Sequence, residues 1–209
     1  MDSLFDFFTA PYTTAAPSDI LLELTGAVFG IISVLFAKRE HIWVYPTGLV
    51  STGIYTFVCF QFALYGDLLI NVYYTLMSVY GWVVWSKTTG GNPLSISRCD
   101  AKDWRKVALI FGSTSVLVAA VYRYSGRFHQ MTDYFDTLTT GIFFAGMWLM
   151  ANKKLENWGF WMVGNAISIP LYFVKGLGFT GVQFAVFLIL AYQGQQQWKA
   201  RLDQKLPGA

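Results

Sequence analysis

Apolar residues gather in seven stretches of the chain, each interrupted by few charges. A helix rises about 1.5 Å per residue, so about 20 apolar residues cross the hydrocarbon core of a bilayer. We therefore predict an all-α integral membrane protein, with residues 1–209 forming a single membrane domain. The seven predicted transmembrane helices are Ile20–Phe36, Ile42–Leu64, Leu68–Trp85, Trp104–Tyr122, Tyr134–Ala151, Trp158–Val174 and Phe179–Gln195.

The sixth span has its polar and aromatic residues on one side. Successive members lie three or four residues apart, which places them on one face of a helix. A carboxamide at membrane depth is costly unless it is paired, so Asn165 should face the protein interior or a water-filled cavity. We interpret the stripe as a cavity wall, with a hydrogen bond that only joins two helices as the alternative. Its members are Trp158, Trp161, Asn165, Ser168 and Tyr172.

An ordered series of residue matches indicates an internal duplication. Trp43 and Trp158, for example, are 115 residues apart, as are several other matched pairs. Because the two copies start four crossings apart, both point the same way across the membrane, which gives a 3+1+3 parallel repeat with the substrate at the repeat interface. The predicted parts are a first three-helix repeat at 19–85, a linker helix at 104–122 and a second repeat at 133–198.

The repeat extends the predicted cavity to other spans. Asn71 and Gln183 should hold equivalent places in the two copies, and Ser51 should correspond to Ser168. Amides bind sugar hydroxyls, and aromatic faces attract a cation by about 0.5–2 kcal/mol each, so this lining suits a flat, hydroxylated, cationic ligand. A polar core that only packs helices is the alternative. The predicted substrate-binding residues are Asn165, Gln183, Asn71, Trp161, Ser168, Tyr172, Tyr55, Ser51, Tyr74 and Phe187.

Two residues of the sixth span are predicted to form a hinge or gate. Pro170 excludes a hydrogen bond to the carbonyl of Ala166 and tends to kink the helix. Gly164 adds backbone freedom beside it. We take this pair as a basis for alternating access, with a static kink that only shapes the cavity as the alternative.

Composition agrees with a membrane protein. The chain is 55% hydrophobic and 13% charged, whereas soluble domains are about 25% charged. Its mean hydropathy is +0.43. The basic residues lie mainly on the side of the first, third and fifth loops and the C-terminus. The positive-inside rule therefore predicts a cytoplasmic C-terminus and an N-terminus outside. The exceptions on the opposite side are Arg123, Arg127 and Lys175.

Motifs for catalysis are missing from the sequence. It has no His-Glu-x-x-His helix, no Gly-x-Ser-x-Gly elbow and no phosphate-binding loop, which argues against an enzyme and against ATP-driven pumping by this chain alone. We predict no cofactor, no metal and no nucleic-acid partner. Cys59 and Cys99 should be free thiols, and Glu23 and Asp136, near the outer ends of their spans, can stay hydrated. Residues 1–18 should form a segment lying at the membrane interface.

Several short motifs together resemble the PnuC family of bacterial vitamin transporters. They are Tyr80-Gly81-Trp82-Val83-Val84-Trp85, Leu64-Tyr65-Gly66, Glu156-Asn157-Trp158 through Trp161, Asn165 and Ile167-Ser168, and the pair Gly194 and Trp198. The resemblance implies a fold like a fused pair of SWEET half-transporters, a bacterial inner membrane and a homotrimer. It also implies uptake of nicotinamide riboside by facilitated diffusion, with trapping by a cytoplasmic riboside kinase.

Two other functions remain open from the sequence. One is a carrier of another vitamin, such as thiamine or riboflavin. The other is a membrane scaffold or sensor without transport, in which the polar stripes only pack helices.

Overall fold

The computed structural model describes residues 13, 16–61, 65–89, 92–124, 131–174 and 178–204. Seven helices make up nearly all of this part of the chain, which confirms the predicted fold class. They are α1 Pro17–Lys38, α2 Val44–Gln61, α3 Tyr65–Ser86, α4 Ala101–Tyr124, α5 Met131–Ala151, α6 Asn157–Val174 and α7 Gly178–Gln204.

Each predicted span is a helix, and the largest difference is at the end of α7. This helix continues to Gln204 rather than stopping near Gln195. The extension is polar along much of its length, but Trp198 and Leu202 pack against the buried core and hold it in place. At the other terminus α1 begins at Pro17, a residue favoured at the first helical position. Most of the predicted interfacial segment 1–18 lies outside the described residues.

Apolar length alone identifies only part of the bundle. By length and composition, α1, α4 and residues 68–86 of α3 could each cross a membrane. The other helices contain polar residues, glycine or proline that lower their hydropathy. Helices that share a polar interior in a membrane are expected to show this lower hydropathy.

The loop between α3 and α4 contains a pair of two-residue strands. Strand β1, Thr88–Thr89, pairs antiparallel with β2, Asn92–Pro93. Further along this loop, the Ser97 N–H donates to the Lys153 carbonyl at 3.0 Å, and the Leu155 N–H donates to the Ser97 carbonyl at 2.9 Å. The loop is therefore fastened to the turn between α5 and α6.

Six helices form a closed ring. Following the ring, α1 packs on α2, α2 on α3, α3 on α5, α5 on α6, α6 on α7, and α7 on α1. Helix α4 packs on α5 from outside the ring. This arrangement gives the six helices a shared interior between them.

Four of the six pairs of helix boundaries recur along the chain at one spacing. Helices α2 and α6 begin at Val44 and Asn157 and end at Gln61 and Val174, with 113 residues between the members of each pair. The ends of α1 and α5 and the starts of α3 and α7 follow the same spacing. The spacing of 115 taken from residue matches is therefore two residues too long at these positions.

A layer of large aromatic residues closes one end of the ring. This end holds the C-termini of α1, α3, α5 and α7 together with most of the basic residues, and we call it the basic end. Tyr45 contacts Trp85 edge to face, with ring centroids 5.1 Å apart, and Trp158 contacts Trp198 in the same way at 5.4 Å. All four side chains are buried. We call these four residues the tryptophan layer.

Candidate functional site

Above the tryptophan layer, aromatic rings from four helices meet inside the ring. Trp161 of α6 lies 6.5 Å from Tyr74 of α3 and 5.6 Å from Phe143 of α5, measured between ring centroids. Phe143 stacks at 6.1 Å with Phe184 of α7. Phe184 also contacts Tyr172 and Phe187, with ring centroids 4.9 Å and 6.4 Å apart. We call this the aromatic cluster: Tyr74, Phe143, Trp161, Tyr172, Phe184 and Phe187.

The wall between α3 and α5 is held by a separate contact. Tyr73 stacks on Phe144 with ring centroids 3.7 Å apart. The Tyr73 hydroxyl also donates a hydrogen bond of 3.0 Å to the Phe144 carbonyl. Because Phe144 also lies 6.0 Å from Tyr74, this wall positions the Tyr74 ring toward Trp161.

Four rings of the aromatic cluster keep part of their surface accessible. The side chains of Tyr74, Trp161, Tyr172 and Phe187 are each partly buried rather than fully buried. These rings therefore keep surface that protein atoms do not cover.

Asn165 and Ser168 face the interior without hydrogen bonds. They are 3% and 1% exposed, and no side-chain hydrogen bond joins either to another described residue. Among the described residues, four side chains have a polar atom that is fully buried and has no partner: Tyr45, Ser115, Asn157 and Trp158. Asn165 and Ser168 are not among them, so their unbonded polar atoms keep some accessible surface. Buried polar groups are normally bonded, so this capacity for hydrogen bonding is available to water or a solute.

Other hydroxyl groups in the ring do serve helix packing. The Ser51 hydroxyl donates to the Gly26 carbonyl at 2.8 Å and joins α2 to α1. The Thr75 hydroxyl donates to the Thr52 hydroxyl at 2.9 Å and joins α3 to α2. Ser51 and Thr75 therefore use their hydroxyl groups to join helices, whereas the Asn165 amide remains available for a hydrogen bond to water or a solute.

A second polar group forms where α1, α2, α3 and α7 approach each other. The Tyr55 hydroxyl lies within hydrogen-bonding reach of the Gln183 side chain, and the Glu23 carboxylate is close enough to act on Tyr55 electrostatically. The Asn71 amide donates weakly to the Cys59 sulfur at 3.9 Å. The predicted amides and Tyr55 therefore share one region of the interior, although they come from different helices.

The spacing of 113 residues shared by four pairs of helix boundaries shifts two correspondences predicted from the sequence. Asn71 aligns with Phe184, one residue from its predicted match, and the equivalence of Asn71 and Gln183 stays a prediction. Ser51 aligns with Gly164 rather than with Ser168. Matching by residue type paired Ser51 with a serine, Ser168, that lies four residues beyond the position given by the helix boundaries.

The structure adds Phe143, Phe144 and Phe184 to the predicted residues. These phenylalanines lie in spans rich in apolar residues, where a side chain that lines a cavity looks the same as one that faces lipid. For Phe184, the spacing of 113 residues could have indicated the interior position, because it aligns Phe184 with the polar Asn71.

Gly164 and Pro170 occupy different environments on α6. Gly164 packs against the Phe143 ring so closely that a methyl group at its Cα would collide with it. Close approach of α5 and α6 therefore gives Gly164 a role besides backbone freedom. Pro170 lies within the helix, as predicted, on an exposed face. The hinge stays a prediction.

A closed ring of helices around a polar and aromatic interior, in a membrane protein, is the arrangement expected of a transporter of small solutes. The chain belongs to the nicotinamide mononucleotide transporter family, whose model matches residues 20–200. This membership makes it a transporter rather than an enzyme and leaves the scaffold or sensor interpretation without support.

Similar proteins share the family and the fold at low sequence identity. The nicotinamide riboside transporter PnuC of Escherichia coli is 23% identical over 201 residues, covering 85% of this chain and 84% of that protein. The riboflavin/roseoflavin transporter RibM of Streptomyces davaonensis is 21% identical over 189 residues, covering 88% and 87%. A crystal structure of the vitamin B3 transporter PnuC superposes with a TM-score of 0.67 at 22% identity, covering 91% of this chain and 85% of the other.

Proposed function

We propose that this protein carries nicotinamide riboside across the bacterial inner membrane. The observation that carries the proposal is the pairing of the aromatic cluster with the unbonded Asn165, one turn beyond Trp161 on α6. The relatives named nicotinamide riboside transporters support the same substrate.

The chemistry of the substrate fits this arrangement. Nicotinamide riboside joins a flat pyridinium cation to a sugar. The faces of Trp161 and Tyr74 can attract the cation without a buried carboxylate, at about 0.5–2 kcal/mol for each ring. The free amide of Asn165 can both donate to and accept from a sugar hydroxyl.

The unphosphorylated riboside suits the interior better than its mononucleotide. Among the described residues, lysines and arginines lie near the ends of the helices and none near their middles. A phosphate brought to the aromatic cluster would lose its hydration without gaining a cation, which costs several kcal/mol.

Transport would proceed by facilitated diffusion with alternating access between two three-helix repeats and a linker helix. The spacing of 113 residues shared by helix boundaries of the two halves supports a parallel repeat, as does the packing of α1–α3 and α5–α7 into two successive arcs of one ring. The basic end would face the cytoplasm, in line with the positive-inside rule. Phosphorylation by a cytoplasmic riboside kinase would trap the substrate, and the family resemblance favours a homotrimer.

Riboflavin is the second candidate substrate. The relative RibM is named a riboflavin/roseoflavin transporter and matches most of this chain. A flavin ring is flat and could also stack on the aromatic cluster, but it carries no fixed positive charge. Thiamine, which is cationic, belongs in the same comparison.

Calorimetry with purified protein distinguishes these candidates. The panel would contain nicotinamide riboside, nicotinamide mononucleotide, thiamine and riboflavin, each titrated into the intact protein and into Trp161→Ala. We expect nicotinamide riboside to bind most tightly and to lose affinity in the variant. Tighter binding of riboflavin or thiamine would replace the proposed substrate, and no binding of any panel member would contradict a vitamin carrier of this kind.

A further inference from the structure

Glu40 and Lys153 stand at the same place in two matching turns, after α1 and α5. Both residues have positive φ angles, 59° and 49°. In each turn, the residue donates to the carbonyl three positions back, and the next residue donates to the carbonyl five positions before it, at 2.9 to 3.0 Å. This is the Schellman pattern, in which glycine is the usual residue at the left-handed position.

Charged residues at these two positions need an explanation. A left-handed backbone is strained for residues other than glycine, and such strain persists where surrounding structure holds it, often at functional sites. A glycine would relieve the strain in either turn but would remove the side chain. The charges themselves therefore account for the choice of residues.

The two side chains meet across the basic end. The Lys153 ammonium lies 2.8 Å from one Glu40 carboxylate oxygen, with the side chains 7% and 16% exposed. The other carboxylate oxygen accepts a hydrogen bond of 3.1 Å from Arg201 of α7. Lys153 also lies 4.4 Å from the centroid of the Trp85 ring, which adds a cation–π contact from the tryptophan layer.

This ion pair connects parts of the ring that are far apart in sequence. It links the α1–α2 turn to the α5–α6 turn, and Arg201 adds the end of α7. Opening the basic end by moving these turns apart requires breaking it. The neighbouring ion pair of Lys154 and Asp103, at 2.7 Å, instead fastens the start of α4 to the α5–α6 turn.

We propose that Glu40, Lys153 and Arg201 form a latch that holds the basic end closed in this conformation and releases when that end opens. Removing Glu40 leaves the buried Lys153 charge without its carboxylate, and removing Lys153 leaves Glu40 with Arg201 as its one remaining cation of the latch. Either change disfavours the closed arrangement. The proposal does not depend on which solute is carried, because it concerns access to the interior.

Cysteine accessibility tests the latch without a substrate. The reporter is Ser168→Cys in a Cys59→Ser/Cys99→Ser background, labelled with a membrane-impermeant maleimide in vesicles that expose the basic end. We expect Glu40→Gln and Lys153→Met each to raise the labelling rate by about threefold or more, a shift of about 0.65 kcal/mol in the closed-to-open equilibrium. The double variant should label no faster than the faster single variant.

The control is Asp103→Asn, which breaks the neighbouring ion pair of similar burial and should leave labelling unchanged. The reciprocal exchange Glu40→Lys/Lys153→Glu, made with Arg201→Gln, should return the rate to that of Arg201→Gln alone. This exchange decides the matter if a single variant cannot be purified. Labelling at the reference rate in folded Glu40→Gln and Lys153→Met, or an exchange variant that labels as fast as the single variants, would overturn the latch.

Discussion

The indole N–H of Trp198 donates a hydrogen bond of 3.0 Å to the carbonyl oxygen of Ala37. Ala37 lies in the last turn of α1, where a carbonyl has no partner within its own helix. On the other side of the ring, Trp85 donates in the same way to Ala151 in the last turn of α5, at 3.1 Å. Two tryptophans therefore cap two helices and close the ring at the basic end.

Trp85→Phe should destabilise the protein by about 1–3 kcal/mol, since phenylalanine keeps most of the packing but leaves the Ala151 carbonyl unbonded. Trp198→Phe should cost less, because the Ala37 carbonyl keeps a hydrogen bond of 2.9 Å from the Glu40 N–H. Thermal unfolding in detergent, followed by circular dichroism, measures the loss. Trp82→Phe is the matched control, because Trp82 is 41% exposed on the same helix as Trp85. Equal destabilisation by the control would show that the hydrogen bonds are not the cause.

Asn165→Ala should weaken riboside binding by at least about tenfold, or about 1.4 kcal/mol, because the variant loses an amide available to the solute. Gln183→Ala should do the same, and calorimetry measures both. Gln196→Ala, which removes an exposed amide of α7, serves as the control and should bind normally. If both interior variants bind like the unaltered protein, these amides only pack helices.

Nicotinamide riboside should compete far better than nicotinamide mononucleotide. The added phosphate loses hydration and finds no lysine or arginine near the aromatic cluster in the described residues, at a cost of several kcal/mol. A competition assay with radiolabelled riboside compares the two directly. Equal inhibition by both compounds would contradict the selectivity argued from charge.

Pro170→Ala should slow transport into liposomes while leaving equilibrium binding within about threefold, or about 0.65 kcal/mol. The restored backbone hydrogen bond would stiffen α6 between Asn165 and Tyr172. Gly164→Ala is a contrasting variant, since its methyl group would collide with Phe143 and should lower stability as well as binding. Unchanged transport rates in Pro170→Ala would place the hinge elsewhere.

Cys99, in the loop before α4, should react slowly with iodoacetamide. Burial, aided by the Glu156 carboxylate, raises the pKa of its thiol to about 12. At pH 8 this leaves on the order of a thousandfold less thiolate than at an unperturbed cysteine, and thiolate is the reactive form. Glu156→Gln should lower the pKa and speed alkylation, measured by mass spectrometry in a Cys59→Ser background. A rate equal to that of the unfolded chain would contradict the shielding.

The helices could be predicted from sequence because membrane crossing imposes a length and an apolar composition on each one. The end of α7 could not, since Trp198 and Leu202 extend the helix through contacts with distant residues. The strand pair after α3 could not be predicted from hydropathy, because each strand is only two residues long.

Asn165, Gln183 and Tyr74 could be predicted as candidate site residues because each is a polar side chain within a membrane span, where it should face the protein interior or water. Phe143 and Phe184 escaped because a phenylalanine in a membrane helix suits lipid and cavity equally. The latch escaped for another reason. Glu40 and Lys153 look like ordinary charges in loops, and their proximity depends on the closure of the ring.

The opposite charges of Glu40 and Lys153 bear on how such a molecule could arise. Two identical half-length chains, assembled symmetrically, would bring glutamate to glutamate or lysine to lysine at this point. Joining the halves on one polypeptide permits each half to mutate separately, so an attractive contact can replace a repulsive one. The price is that neither half could any longer form this end of the protein with a copy of itself.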